Sequence, residues 1–129
     1  MNPATEDIKN ILVSADVDLS FGVNLFIGSS PEQPDAVVVI FDRGGEDRAM
    51  GYSYERPFIE VVIRVERGRY RAGRLWGQRI RDALNSTTDN IQGLTRVIGV
   101  WAGGDVGFLG EDLLQRPRFS IMFAMHRTS

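Results

Sequence analysis

Between Phe58 and Leu84 the hydrophobic period changes once, and no other feature of the chain limits the fold as much. From Phe58 to Glu66 the residues alternate. Ile59, Val61, Ile63 and Val65 point one way, while Glu60, Arg64 and Glu66 point the other with Phe58 and Val62. That is a strand with one buried face and one mixed face. From Tyr70 the period lengthens to that of a helix, and Ala72, Leu75, Trp76, Ile80, Ala83 and Leu84 form one apolar stripe. A half-buried strand running straight into an amphipathic helix calls for a helix layer packed on a sheet.

The remaining segments fit that layer. Asn2-Pro3 reads as an N-cap and a first-turn proline, opening a helix from Pro3 to Ala15 with Ile8, Ile11, Leu12 and Ala15 at helical spacing. A weak strand is expected around Val23 to Ile27. The run "DAVVVIFD" is apolar and β-branched, as in a strand covered on both faces. "GLTRVIGVWAGG" reads as a strand, "GGDVGFLGED" as a glycine-rich loop, and "RPRFSIMFAMHR" as a last strand with Phe119, Ile121, Phe123 and Met125 on one side. The order α-β-β-β-α-β-β predicts a single α+β domain over residues 1–129. It has a mostly antiparallel sheet of four or more strands and two helices packed on one face.

Composition narrows the function classes. At 43% hydrophobic and 25% charged residues the chain matches an ordinary soluble domain, and a net charge of -2 offers no general attraction to nucleic acid or anionic membrane. With no cysteine there are no disulfides, zinc–thiolate sites or thiol nucleophiles. The acidic start lacks the pattern of a signal peptide, and Ala36 to Phe41 is far too short to span a bilayer. A soluble, cytoplasmic protein without membrane contact is expected. Of 15 basic residues only Lys9 is a lysine. Arginine tolerates partial burial and forks onto carboxylates, and it is enriched at interfaces where lysine is depleted.

Candidate chemistry is sparse. His126 stands alone near the end of a strand, with no Ser-His-Asp spacing around it, and reads as a surface residue. The acid pairs Asp16/Asp18, Glu46/Asp47 and Glu111/Asp112 lack the spaced oxygens of a calcium loop and read as solvated turns. Gly103 to Gly110 has regularly spaced glycines but no Gly-Lys-Ser/Thr end, and it leads into a strand instead of a helix. No catalytic residue, cofactor or metal site is expected. On the helix, Arg71, Arg74, Gln78 and Arg81 form a basic stripe. Its candidate roles are a solvated face, a phosphate-backbone contact or a subunit contact, the last being preferred over DNA. Arg116 and Arg118, with Glu111 and Asp112, are candidate subunit-interface residues. The stretch Asp42 to Glu55 is too long for a hairpin turn. Its Arg43, Glu46, Asp47, Arg48, Tyr52 and Tyr54 are the candidate residues of an assembly loop that orders against a partner.

The order of three motifs, "VVVIFDRGG", then "YERPFIEVVIRVERGRYRAGRLWGQRIRDAL", then "LGEDLLQRPRFSIMFAMHR", resembles the minor capsid proteins of tailed bacteriophages that act as tail terminators in head–tail completion. The resemblance covers roughly Ile8 to Arg127. It implies a non-enzymatic α+β protein that forms a homo-oligomeric ring, commonly a hexamer, at the head–tail junction of the virion, after assembly in the host cytoplasm. The implied partners are further copies of the chain, the tail tube protein and the head-completion or connector protein, with DNA passing through the lumen without sequence-specific binding. One departure is that Glu46-Asp47-Arg48 follows Gly-Gly where relatives often carry a proline-rich turn. A small enzyme or ligand-binding α+β domain using the 42–55 or 103–110 loop is the alternative.

Overall fold

The computed structural model describes residues 2–46 and 54–128. Strands β1 (Leu25–Ile27), β2 (Val37–Glu46), β3 (Arg56–Arg64), β4 (Thr88–Gln92), β5 (Thr95–Ala102), β6 (Gly107–Glu111) and β7 (Pro117–Thr128) form a seven-stranded sheet. Its order is β1-β2-β3-β7-β5-β4, with β6 pairing β7 off this path. Every pairing is antiparallel except β1 on β2. β7 is the organising strand. One edge pairs with β3 from Arg118 to Ala124, while the other is shared by β6 at Pro117–Ser120 and β5 at Phe123–Thr128.

Helices α1 (Ala4–Ser14) and α2 (Tyr70–Asn85) cover the face to which the alternation in β3 and β7 points. Ile59, Val61 and Ile63 meet Phe119, Ile121, Phe123 and Met125, together with Ile8 and Leu12 of α1 and Ile80 and Leu84 of α2, in one buried cluster. The fold is α+β, as the change of period implied. Val37 to Ile40 are all buried, in keeping with a strand covered on both faces. α1 starts at Ala4 behind Pro3 with no side-chain cap, so Asn2 is not the N-cap.

Three further expectations are corrected. The first concerns the start of the long loop, because β2 runs on to Glu46. Its register shifts between Asp42 and Gly45, and pairing resumes at Gly45↔Pro57 and Glu46↔Arg56. A side chain at Gly45 would lie 2.5 Å from the Arg56 carbonyl oxygen, at a φ of +148°. The two glycines therefore serve a bulge that extends the strand.

The second correction is the glycine-rich segment, whose Gly107–Glu111 is strand β6. The polar strand β4 was likewise not foreseen. Neither strand buries a continuous face, so neither carries a hydrophobic signature.

The third is the rotation of α2. Its buried residues are Gly73, Gly77, Ile80 and Leu84, whereas Leu75 is 48% exposed and Ala72 lies on the surface. A Cβ at Gly73 would meet Val65 Cγ2 at 2.6 Å and Phe119 Cε2 at 2.7 Å, and one at Gly77 would meet Val106 Cγ1 at 3.0 Å. The helix backbone thus lies directly on the sheet side chains. The glycines face inward and part of the predicted apolar stripe turns outward. Trp76 stays at the boundary, donating its indole N–H to the Val17 carbonyl at 2.9 Å.

Candidate assembly surfaces

The two ends of β7 gather different connections. At the C-terminal end Glu55 pairs with Arg127, Arg96 with Thr128, and Gln92 with Thr95, so the β2–β3 connection and the β4–β5 turn leave from here. At the N-terminal end the Val65 amide donates to the Pro117 carbonyl at 3.0 Å. The turn Asp112–Arg116 is also there, and it packs against the segment 30–35.

A buried arginine fixes each end. Arg127 donates to Asp7 at 2.8 Å, to the Asn2 carbonyl at 2.6 Å, and through Nε and Nη2 to Glu55 at 3.0 and 2.7 Å. It ties α1, β3 and β7 together. Asp7 is fully buried, its Oδ1 without a partner among the described residues, and burial pushes its carboxyl above the ordinary value despite the hydrogen bond and charge of Arg127. Reading the sequence missed this cluster, although Asp7 falls within the apolar spacing Ala4, Ile8, Ile11, an anomaly that signals a buried partner.

At the other end Arg116 donates to Asp112 at 2.8 Å, to Asp35 at 3.2 Å and to the Glu32 carbonyl at 2.6 Å. Arg64 beside it donates to the carbonyls of Pro31, Glu32, Pro34 and Asp35. Burial works to raise the Asp112 pKa, but hydrogen bonds from Arg116 and the Leu114 amide, with the Arg116 charge, hold it below its usual value.

The candidate subunit-interface residues separate accordingly. Arg116 and Asp112 are joined within the chain, and Glu111 is exposed. Arg118 is half-buried, its Nε without a partner among the described residues. On α2, Arg74 reaches Gln78 at 3.1 Å and Asp105 at 3.2 Å, and Arg81 donates to the Gly104 carbonyl at 2.9 Å. These two side chains anchor the 103–105 turn, whereas Arg71 is exposed. The basic stripe is thus two residues holding the chain and one facing out.

Of the candidate assembly-loop residues, Arg43 and Glu46 belong to β2. Arg43 pairs with Glu60 at 2.6 Å and Glu46 with Arg56 at 2.9 Å. Glu60 is half-buried and also accepts from Ser120 at 2.6 Å. Desolvation raises its pKa, and the bonds from Ser120 and Arg43 more than offset this, leaving it low. Tyr54 bonds its hydroxyl to His126 Nδ1, and the His126 ring meets Trp101 edge-on at 4.7 Å between centroids. His126 is therefore half-buried in an aromatic group on β7 and not a bare surface residue. Asp47, Arg48 and Tyr52 lie outside the described residues.

Among the described residues no three His, Asp or Glu side chains are grouped to hold a metal. No helix among the described residues is long and apolar enough to cross a membrane. An open groove of about 370 Å³ runs along α2, with an apolar floor at Ala72, Leu75 and Trp76 and the charged residues Asp18, Glu66, Arg69 and Arg79 around it.

A family profile described as "Bacteriophage tail terminator protein" matches residues 7–127. No curated protein matches the chain. Among solved structures the chain is similar to a chain of the "Virion of native gene transfer agent (GTA) particle", with a TM-score of 0.77 and 11% identity, covering 99% of this chain and 100% of that one. At that identity the likeness concerns the fold.

Proposed function

The chain belongs to the bacteriophage tail terminator family, and on that premise we propose that it closes the end of a tail tube as a ring of identical copies. It is a structural protein of the virion tail. In this reading a ring on the last tube layer covers the surface onto which further tube subunits would add, so polymerisation stops. Its opposite side then receives the head connector. Six copies is the number that the resemblance implies, and DNA passes through the lumen without sequence-specific contact.

The observation that supports this most is the division of the molecule into two separately braced ends. Arg127 secures one and Arg116 with Arg64 the other. A joint between two different assemblies needs two distinct surfaces held at a fixed distance. A single strand, β7, spans both braces here. The outer strand β4 has no further strand on its free edge among the described residues, so a neighbouring copy can cover it. We place the tube contact at the end that carries the β2–β3 connection, with Asp47, Arg48 and Tyr52 as its residues. No chemistry is assigned to the chain, and it works by protein–protein contact.

The test is a tube-length assay. Tail tube protein polymerising with the intact chain should give tubes of limited length bearing a ring at one end. Shortening residues 47–53 to a two-residue turn should leave the melting temperature nearly unchanged and give uncapped, over-long tubes. Tubes of normal length with the shortened protein would remove this connection from the account, and uncapped tubes with the intact protein would remove the function.

A further inference from the structure

Leu113 is fully exposed, with a relative exposure of 102%, and Leu114 beside it is half exposed. An apolar pair at a turn tip is ordinarily avoided or mobile, but this turn is built to hold still. Asp112 Oδ1 accepts the amides of Leu114 and Arg116, both at 3.0 Å, and the Gln115 amide donates to the Asp112 carbonyl at 2.9 Å. Gln115 adopts a φ of +61°, and the buried Arg116 anchors the turn to segment 30–35. The leucines are thus presented at little further entropic cost, as a binding anchor requires.

The chain also carries a surface with the matching character. Because Gly73 and Gly77 bring the backbone of α2 onto the sheet, Ala72 and Leu75 face outward beside Trp76 and line the open groove. On one side Asp18, paired with Arg79, and Glu66 also line the groove. On the other side of Leu75 only the basic residues Arg69 and Arg71 flank it, and the first turn of α2 holds no acid. The turn tip carries the exposed acid Glu111 directly before Asp112. Apolar anchor meets apolar groove, and acid meets arginine. The two surfaces share no residue, so one copy can give its leucines to one neighbour while accepting those of another.

We infer that the turn Asp112–Arg116 of one copy seats Leu113 and Leu114 in the α2 groove of a second copy, giving a head-to-tail contact that repeats around the ring. A heterologous contact of this kind closes into a ring when its rotation permits and otherwise extends into a filament. The inference rests on the ring proposed above and names the contact that builds it.

The chain has no native cysteine, so introduced thiols report cleanly. A Leu113→Cys, Leu75→Cys double variant treated with a short bifunctional thiol reagent should give a denaturation-resistant ladder ending at the ring's size. Each single variant should remain monomeric on the same gel, and so should Leu94→Cys with Leu75→Cys. In parallel, Leu113→Glu should keep the melting temperature of the parent and weaken self-association at least about tenfold. A ring by native mass that yields no ladder, or that survives Leu113→Glu unchanged, overturns the contact and leaves the ring standing. Absence of any ring from the parent protein, alone and with tail tubes, overturns both.

Discussion

Arg64 and Arg127 on strands and Arg116 just before β7 turn their guanidinium groups back onto their own chain, whereas Arg69, Arg71 and Arg79, on and just before α2, face outward. Each member of the first set serves two or more acceptors. Arg127 alone gathers a helix acid, an N-terminal carbonyl and a glutamate next to β3. A lysine ammonium cannot span such a fork, so the near absence of lysine has a structural component at these positions. Of the second set, Arg79 reaches Asp18 at 2.9 Å across two exposed side chains, a pairing worth little to stability. One residue type therefore does two jobs, bracing the fold and dressing a surface, and substitutions should tell them apart.

The largest effect is expected at Arg127. Arg127→Ala leaves Asp7 buried without its cation and should cost about 3–5 kcal/mol in a denaturant titration. Arg127→Lys, keeping charge but losing the fork, should fall between it and the parent. A loss no larger than that of a surface arginine would erase the distinction drawn above.

Gly73→Ala sharpens the other side of the comparison, since the glycine face of α2 is what turns Leu75 outward. Alanine gains about 1 kcal/mol of helix propensity, yet its Cβ collides with Val65 and Phe119, for a net loss on the order of 1 kcal/mol by thermal unfolding. A more stable variant would mean that the helix does not lie so close to the sheet.

The acids that face Arg127 and Arg116 should titrate in opposite senses. Asp7 has a raised folded-state pKa, so its contribution is complete below the ordinary carboxylate value near 3.8 and is lost as the pH rises through the folded value. Asp112 has a lowered one, so its contribution is present above 3.8 and is lost as the pH falls through the folded value. In stability measured from pH 7 downward, Asp7→Asn should therefore steepen the acid decline and Asp112→Asn should flatten it. The same direction of change in both variants would contradict the two environments.

Smallest of all is the change expected at Arg71. Arg71→Glu should alter stability by less than about 0.5 kcal/mol while lowering self-association. It is a cleaner probe than replacing Arg71, Arg74 and Arg81 together, because the latter two hold the 103–105 turn.

What the sequence disclosed follows the same division. Strands β2, β3, β5 and β7 and both helices announce themselves through local pattern, and so do the faces that β3, β7 and α1 bury. β4 and β6 do not, because their residues are polar or glycine and their place comes from pairing with neighbours. The braces were illegible for another reason. Arg127 and Asp7 are 120 positions apart, and Arg116 and Asp35 are 81 apart, so no local pattern links them. Gly73 and Gly77 were visible as a four-residue glycine step, but an apolar stripe beside them was the stronger and misleading signal.

The central claim, that copies of this chain close upon one another at the end of a tail, is tested most directly by native mass spectrometry of the purified protein over a range of concentrations, alone and with tail tubes. One closed species of fixed copy number is expected, growing at the expense of the monomer and then stopping. A protein that stays monomeric at the highest concentration and in the presence of tubes, or that grows without a stopping point, would contradict it.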